Sequence, residues 1–162
     1  MPAIVLRPAT RADVPLILEL IHGLAEYERE PDAVLATGEL LEQQLFGAQP
    51  GAEVVIAEAD GQAAGFALFF HNFSTWHGRR GLYLEDLFVL PPFRKLGIGR
   101  ALMVHLAKLA VERGCARFEW SVLDWNTPAI EFYRSLGAVG MDEWTVQRVD
   151  GAALRALAAS GS

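Results

Sequence analysis

The chain has 162 residues, 52% hydrophobic and 21% charged, which suits one domain with a buried core and not a disordered segment. Its 20 acidic and 14 basic residues leave a net charge of −6. That balance argues against a nucleic-acid surface and mildly favours a cationic small substrate. No apolar run approaches the ~18 residues needed to cross a bilayer, the start "MPAIVLRPATRADV" lacks the basic-then-apolar form of a leader, and Cys115 is the single cysteine. The expectation is a cytoplasmic protein without an internal disulfide or a membrane partner.

In chain order, "AIVLRPAT" predicts a short strand. Thr10 with Asp13 three residues on marks a helix start, and Val14, Leu16, Ile17, Leu20, Ile21 and Leu24 carry helical spacing to about Ala25. After the polar connection "EYEREPDAVLAT", Thr37 begins a second, shorter helix that Gly47 ends. "AEVVIAEADGQAAGFALFFHNF" predicts two strands joined at Asp60-Gly61. Leu82 to Leu90 is a further strand, and Ile98 to Arg113 a helix with Leu102, Leu106, Leu109 and Ala110 on one face and Gly114 as its stop. The strand "ARFEWSVL" then completes a strand–helix–strand unit of the kind that joins parallel neighbours. Thr127 to Leu136 is a short helix, "EWTVQRV" (143–149) a last strand, and 158–162 a fraying tail. The fold class is α+β: one domain over residues 1–162, with a mixed, mostly antiparallel sheet and a parallel pair around the 98–113 helix.

Between strand and helix lies "LEDLFVLPPFRKLGIGRALM" (84–103). Gly97 and Gly99 let backbone approach a ligand, the helix start offers unpaired amide N–H groups, and Arg94, Lys95 and Arg100 supply positive charge, so a phosphate is the natural occupant. A Walker loop fails for want of Gly-Lys-Ser/Thr. A GxGxxG fingerprint fails at Leu102. What remains is RxxGxG directly after a strand.

This pattern, with "YLEDLFVLPPFRKLGIG", "LDWNTPAIEFYRSLGA" and "LRPATRADV" at matching places in the chain, resembles the Gcn5-related N-acetyltransferase superfamily along nearly the whole sequence. It is most similar there to the diamine (spermidine/spermine or thialysine) N-acetyltransferases. The resemblance implies transfer of acetyl from acetyl-CoA, as co-substrate and without a metal, to a primary amine in a ternary complex. It implies a pyrophosphate cradle over Arg94, Lys95, Leu96, Gly97, Ile98, Gly99 and Arg100, and pantetheine contacts from the backbone of Leu87, Phe88 and Val89 and from Asn126 and Ala129. Asn126 reads equally well as a helix cap.

Because the amine arrives protonated, some group must take its proton, and a cleft carboxylate suits the task. Strand alternation puts Glu85 on one face with Tyr83, Leu87 and Val89, and Asp86 on the other. The resemblance makes Glu85 the base, through water, and Asp86 a structural or rim residue. It makes Tyr133 the acid that protonates the leaving thiolate, against the alternative of a core tyrosine. On the acceptor side it points to Tyr27, Glu28 and Trp76, each also open to reading as a loop anchor.

One departure stands out. Polyamine acetyltransferases carry an acidic residue before this tryptophan, where Ser74 and Thr75 stand here, so a shorter amine is at least as good an acceptor. No histidine shows metal spacing, and Trp120, Trp125 and Trp144 are expected to pack in the core or at a dimer surface. A homodimer is expected from the resemblance. Two other readings stay open: a protein or peptide N-acetyltransferase, and a non-catalytic acyl-CoA sensor that would need neither Glu85 nor Tyr133.

Overall fold

The Asp60-Gly61 hairpin forms as its sequence predicts. Both residues take left-handed backbone, φ 48° and 79°, the angle pair that a two-residue type I′ turn demands. A computed structural model describes residues 1–161, which divide into two compact units, 1–123 and 124–161.

The first unit holds a five-stranded sheet in the order β1 (Ile4–Pro8), β2 (Glu53–Ala59), β3 (Gln62–Ser74), β4 (Arg79–Val89) and β5 (Phe118–Trp120). Neighbours pair antiparallel except β4 with β5, which are parallel. A parallel pair needs a crossover, and α3 (Ile98–Glu112) supplies it.

Each sheet face takes a helical layer because the central strands β2 and β3 bury runs of successive residues, which point alternately to the two faces. On one face, Ile17, Leu20 and Leu24 of α1 (Val14–Tyr27) and Leu45 of α2 (Gly38–Phe46) form a core with Val54, Ile56, Phe66 and Phe88. The opposite face carries Val55, Ala67, Phe69 and Leu84, all buried, and α3, which packs on β2, β3 and β4, buries Ile98, Leu102, Met103, Leu106 and Ala110. The predicted starts hold. Asp13 closes a capping box with Thr10 ahead of α1, and the Thr37 hydroxyl accepts from the Leu40 amide at 3.1 Å.

The second unit contains α4 (Thr127–Ser135) and α5 (Gly151–Ala159). Here the sequence-based expectation needs correction. Residues 143–149 are not a strand: strand pattern makes a strand only where a neighbour offers a hydrogen-bonding ladder, and no described strand pairs with them. Their side chains face solvent, with Trp144 71% exposed, so Trp144 is not a core residue. Helix α5 covers residues partly read as a fraying tail; five alanines and two leucines among its residues give it high helix propensity. The strand read over "ARFEWSVL" shrinks to three residues, Phe118–Trp120.

Candidate active site

The alternation of β4 is interrupted where the chemistry is expected. Leu68 of β3 pairs with Asp86, but the next residue, Phe69, pairs with Leu84, so Glu85 is the extra residue of a β-bulge. Residues opposite one another share a face. Phe70–Tyr83, Leu68–Asp86 and Phe66–Phe88 therefore mark one side, and Phe69–Leu84, Ala67–Leu87 and Gly65–Val89 the other. The expectation that Glu85 shares a face with Tyr83, Leu87 and Val89 is thus overturned: Tyr83 shares its face with Asp86, and Glu85 is held outside the regular ladder.

The bulge leaves Glu85 exposed and Asp86 half-buried. Burial first, then the charges of Glu85 and Glu28, push the Asp86 carboxyl up to about 6. Glu28, the C-cap of α1, is also raised, by burial and then by Glu85. Three carboxylates from β4 and the end of α1 thus feel one another, and a cation among them relieves both the burial and the repulsion. Asp86 is the residue that sequence reasoning under-weighted, because a bulge leaves no mark in a period-two pattern.

Tyr27, the last residue of α1, is 38% exposed. Trp76 is not brought to this group. It is 85% exposed in the β3–β4 turn, and Arg79, where β4 begins, is six residues from Glu85, about 20 Å along an extended strand. Ser74 is buried at 3% exposure, with its Oγ 2.8 Å from His77 Nδ1 and accepting from the His77 amide at 3.2 Å.

The cofactor-side residues of this unit occupy one continuous stretch. Pairing with β5 stops at Leu84–Trp120, so on that side Glu85–Val89 has no partner strand among the described residues. Such an edge can bind an extended chain as an added strand. Phe88 is buried at 6% and Ile98 at 1% exposure, which leaves only their backbone for a ligand; Leu87, Val89 and Leu96 are half-buried, Lys95 and Arg100 exposed.

After a 3-10 turn at Pro91–Phe93, Lys95 and Gly97 both adopt positive φ, 65° and 80°. A Cβ on Gly97 would meet nothing within 4 Å, and no side chain caps α3. The amide of Ala101 bonds to the Gly97 carbonyl at 2.9 Å, so the amides of Ile98, Gly99 and Arg100 stand ahead of the helical ladder. This open, uncapped helix start flanked by Lys95 and Arg100 fits a pyrophosphate. Arg94 is engaged elsewhere: its Nε donates to the Val89 carbonyl at 3.0 Å.

The remaining expected residues belong to the second unit. Asn126 is 8% exposed and its Oδ1 accepts from the Ala129 amide at 3.3 Å, so its side chain caps α4, the alternative that its sequence context offered. Tyr133 lies half-buried in α4, its ring 5.4 Å from that of Phe132. The helix ends beyond it, with the Leu136 and Ala138 amides both bonding to the Tyr133 carbonyl. Among the described residues no group of three or more His, Cys, Asp or Glu is placed to hold a metal ion, and no helix is long and apolar enough to cross a membrane.

Known proteins match this chain across both units. The acetyltransferase (GNAT) family pattern matches residues 17–138. The thialysine N-epsilon-acetyltransferase of Sus scrofa is 37% identical, over 98% of this chain and 99% of its own length. The L-ornithine N5-acetyltransferase of Arabidopsis thaliana is 32% identical over 94% of this chain and 86% of its own. Among solved structures, an integron cassette protein from the mobile metagenome of V. cholerae superposes with a TM-score of 0.81 at 30% identity, covering 97% of this chain and 98% of that one.

Proposed function

This chain belongs to the acetyltransferase (GNAT) family and is an N-acetyltransferase, and on that footing we propose that it acetylates the terminal primary amine of a small cationic acceptor by direct attack in a ternary complex with acetyl-CoA. One observation carries the reading: the Glu28–Glu85–Asp86 carboxylates adjoin, along β4, the free strand edge that leads into the Arg94–Arg100 turn. Residues 1–162 act as one acetyltransferase domain, since the family match spans the junction between the two units.

The free strand edge of Glu85–Val89 takes the pantetheine arm, and the amides of Ile98, Gly99 and Arg100 with Lys95 hold the pyrophosphate. Bound there, acetyl-CoA supplies an activated acetyl thioester whose carbonyl carbon accepts the amine lone pair. An alkylammonium has a pKa of ~10.4, so only about one amine in a few thousand is neutral at pH 7. Glu85, exposed in the bulge, takes the excess proton through water; Glu28 and Asp86 draw the cation in and hold it. The Tyr133 hydroxyl gives a proton to the departing thiolate.

Amino-acid amines resembling lysine or ornithine are the favoured acceptors. Two similar proteins are named for thialysine and ornithine, and Ser74, in place of a carboxylate, is buried against His77 and offers nothing to a second positive charge. The protein works as a cytoplasmic homodimer. Exposed Val139, Met141, Trp144 and Val146 of the second unit support the dimer.

An acetyl-CoA thiol-release assay over thialysine, lysine, ornithine, short diamines, polyamines and peptides tests the reading. Turnover is expected with the amino-acid amines, and Glu85→Gln and Tyr133→Phe should each lower kcat by about a hundredfold. Coenzyme A binding without turnover on any amine would favour an acyl-CoA sensor, and full activity in both variants would overturn the assigned roles.

A further inference from the structure

Arg94 has the sequence position of a phosphate ligand but the contacts of a clamp. Besides donating to the Val89 carbonyl at 3.0 Å, its guanidinium carbon lies 5.2 Å from the centroid of the Tyr27 ring and 5.6 Å from that of Phe88. A cation within about 6 Å of a ring centroid is attracted by the ring's quadrupole, and a planar guanidinium stacks while still donating in its plane. The two rings differ in what holds them. Phe88 is 6% exposed and fixed in the core, whereas Tyr27 is 38% exposed at the last position of α1.

The residues next to each partner give the contact its consequence. Directly after Tyr27, Glu28 caps α1 and belongs to the carboxylate group with Glu85 and Asp86. Directly after Arg94, the turn at Lys95 and Gly97 shapes the start of α3 through its positive φ angles. A single side chain therefore joins the segment that presents the acceptor carboxylate to the segment that presents the phosphate-binding amides.

We propose that Arg94 is a positioning residue for the amine acceptor: held by Phe88, Tyr27 and the Val89 carbonyl, it fixes the end of α1 against the pyrophosphate turn and couples the order of the two. The assignment of amine and phosphate to the two sides rests on the acetyltransferase reading; the coupling is a property of the free chain. By linkage the effect is reciprocal, so a ligand that orders the turn also orders Glu28 for the acceptor, and the acceptor tightens the turn.

Hydrogen–deuterium exchange of the free, full-length protein tests the clamp without any ligand. Arg94→Gln should speed amide exchange at residues 25–30 and Tyr27→Leu at 93–97, each by about threefold or more, while the core amides of β3 stay unchanged. In kinetics, Arg94→Gln should raise the KM for the amine by about three- to tenfold with kcat within about twofold of wild type and, because the coupling is reciprocal, should weaken coenzyme A binding by a comparable factor. Arg94→Lys, which keeps a cation over the ring, should recover part of the loss, and the Arg94→Gln/Tyr27→Leu double variant should be little worse than the poorer single one.

Exchange at 25–30 unchanged by Arg94→Gln would overturn the clamp. So would weaker coenzyme A binding with an unchanged amine KM, which would make Arg94 a phosphate ligand alone. If the wild type turns over no amine at all, the acetyltransferase assignment of the two sides fails, and the exchange result still decides the coupling.

Discussion

At residue 86 the fold holds a carboxyl where ionisation is costly. Asp86 gives up its proton at about 6 in the folded chain against an ordinary 3.8, through burial first and then through Glu85 and Glu28. Between those values the folded protein keeps a proton that the unfolded chain has released, so stability falls as pH rises through this window. Ionised Asp86 is therefore a cost at neutral pH, one that a cation bound beside it would offset. Asp86→Asn should raise Tm at pH 7.5, with the gain fading toward about pH 4, and should remove an inflection near pH 6 in kcat/KM for the amine. Thermal unfolding and steady-state kinetics over about pH 4–8 measure both; an unchanged Tm at pH 7.5 would show that the carboxylate is not under strain. The neighbouring pair Glu85 and Asp86 was visible in the sequence, but their division of work was not. Alternation assigns faces by counting, and the bulge opposite Leu68 and Phe69 changes the count.

Among the elements, the start of α3 shows how a few residues set a binding geometry. Gly97 holds φ at 80° with open space where a Cβ would stand, so Gly97→Ala meets no clash and bears only the backbone penalty of left-handed conformation, about 1 kcal/mol. In a chain of this size that corresponds to a Tm lowered by about 2–4 °C. The larger expected effect is a coenzyme A affinity reduced by about tenfold or more, since relaxing the turn re-aims the amides of Ile98–Arg100. Calorimetric binding checks it; an affinity within about twofold of wild type would sink the role of this turn as the pyrophosphate cradle. Elements with local signals were legible: the Asp60-Gly61 turn, the caps at Thr10 and Thr37, and the glycine stop after α3. Elements that depend on a partner were not. Residues 143–149 have the composition of a strand and no strand beside them, while Phe118–Trp120 has a partner for only three residues.

Among the described residues, the ion-pair networks of Arg7 and Arg113 tie distant segments together and shape the acid flank of stability. Arg7 lies 2.8 Å from Asp13 and 3.5 Å from Glu58, and the hydrogen bond from Arg7 holds the Asp13 carboxyl down at about 2. Arg113 pairs with Glu53 at 2.7 Å and approaches His71 Nε2 at 3.3 Å. The pair lowers the Glu53 carboxyl, while burial, then Arg113 and Arg80, lower the imidazole. The Glu53 side chain is 46% exposed and solvent screens it, but Asp13 is only 13% exposed and carries the larger share. A depressed carboxyl contributes stability above its ordinary pKa that is lost as pH falls, here from about 4 to about 2. His71 resists protonation in the fold, so its contribution begins to fall once pH drops below its ordinary 6.5. Asp86 acts in the opposite sense between about 6 and 3.8. Asp13→Asn should flatten the fall in Tm between about pH 4 and 2; a fall as steep as wild type would move the acid sensitivity elsewhere.

The family, the order of elements, the helix caps and the RxxGxG turn follow from residues near one another in the chain, because turn angles, caps and periodicity are local properties. Three features that define the site are not local. The bulge that separates Glu85 from Asp86 is set by how β4 pairs with β3, the strand edge along Glu85–Val89 exists because β5 stops at Trp120, and Arg94 meets Tyr27 across a long stretch of intervening chain. Each depends on which distant segments pack together, and only the tertiary structure decides that.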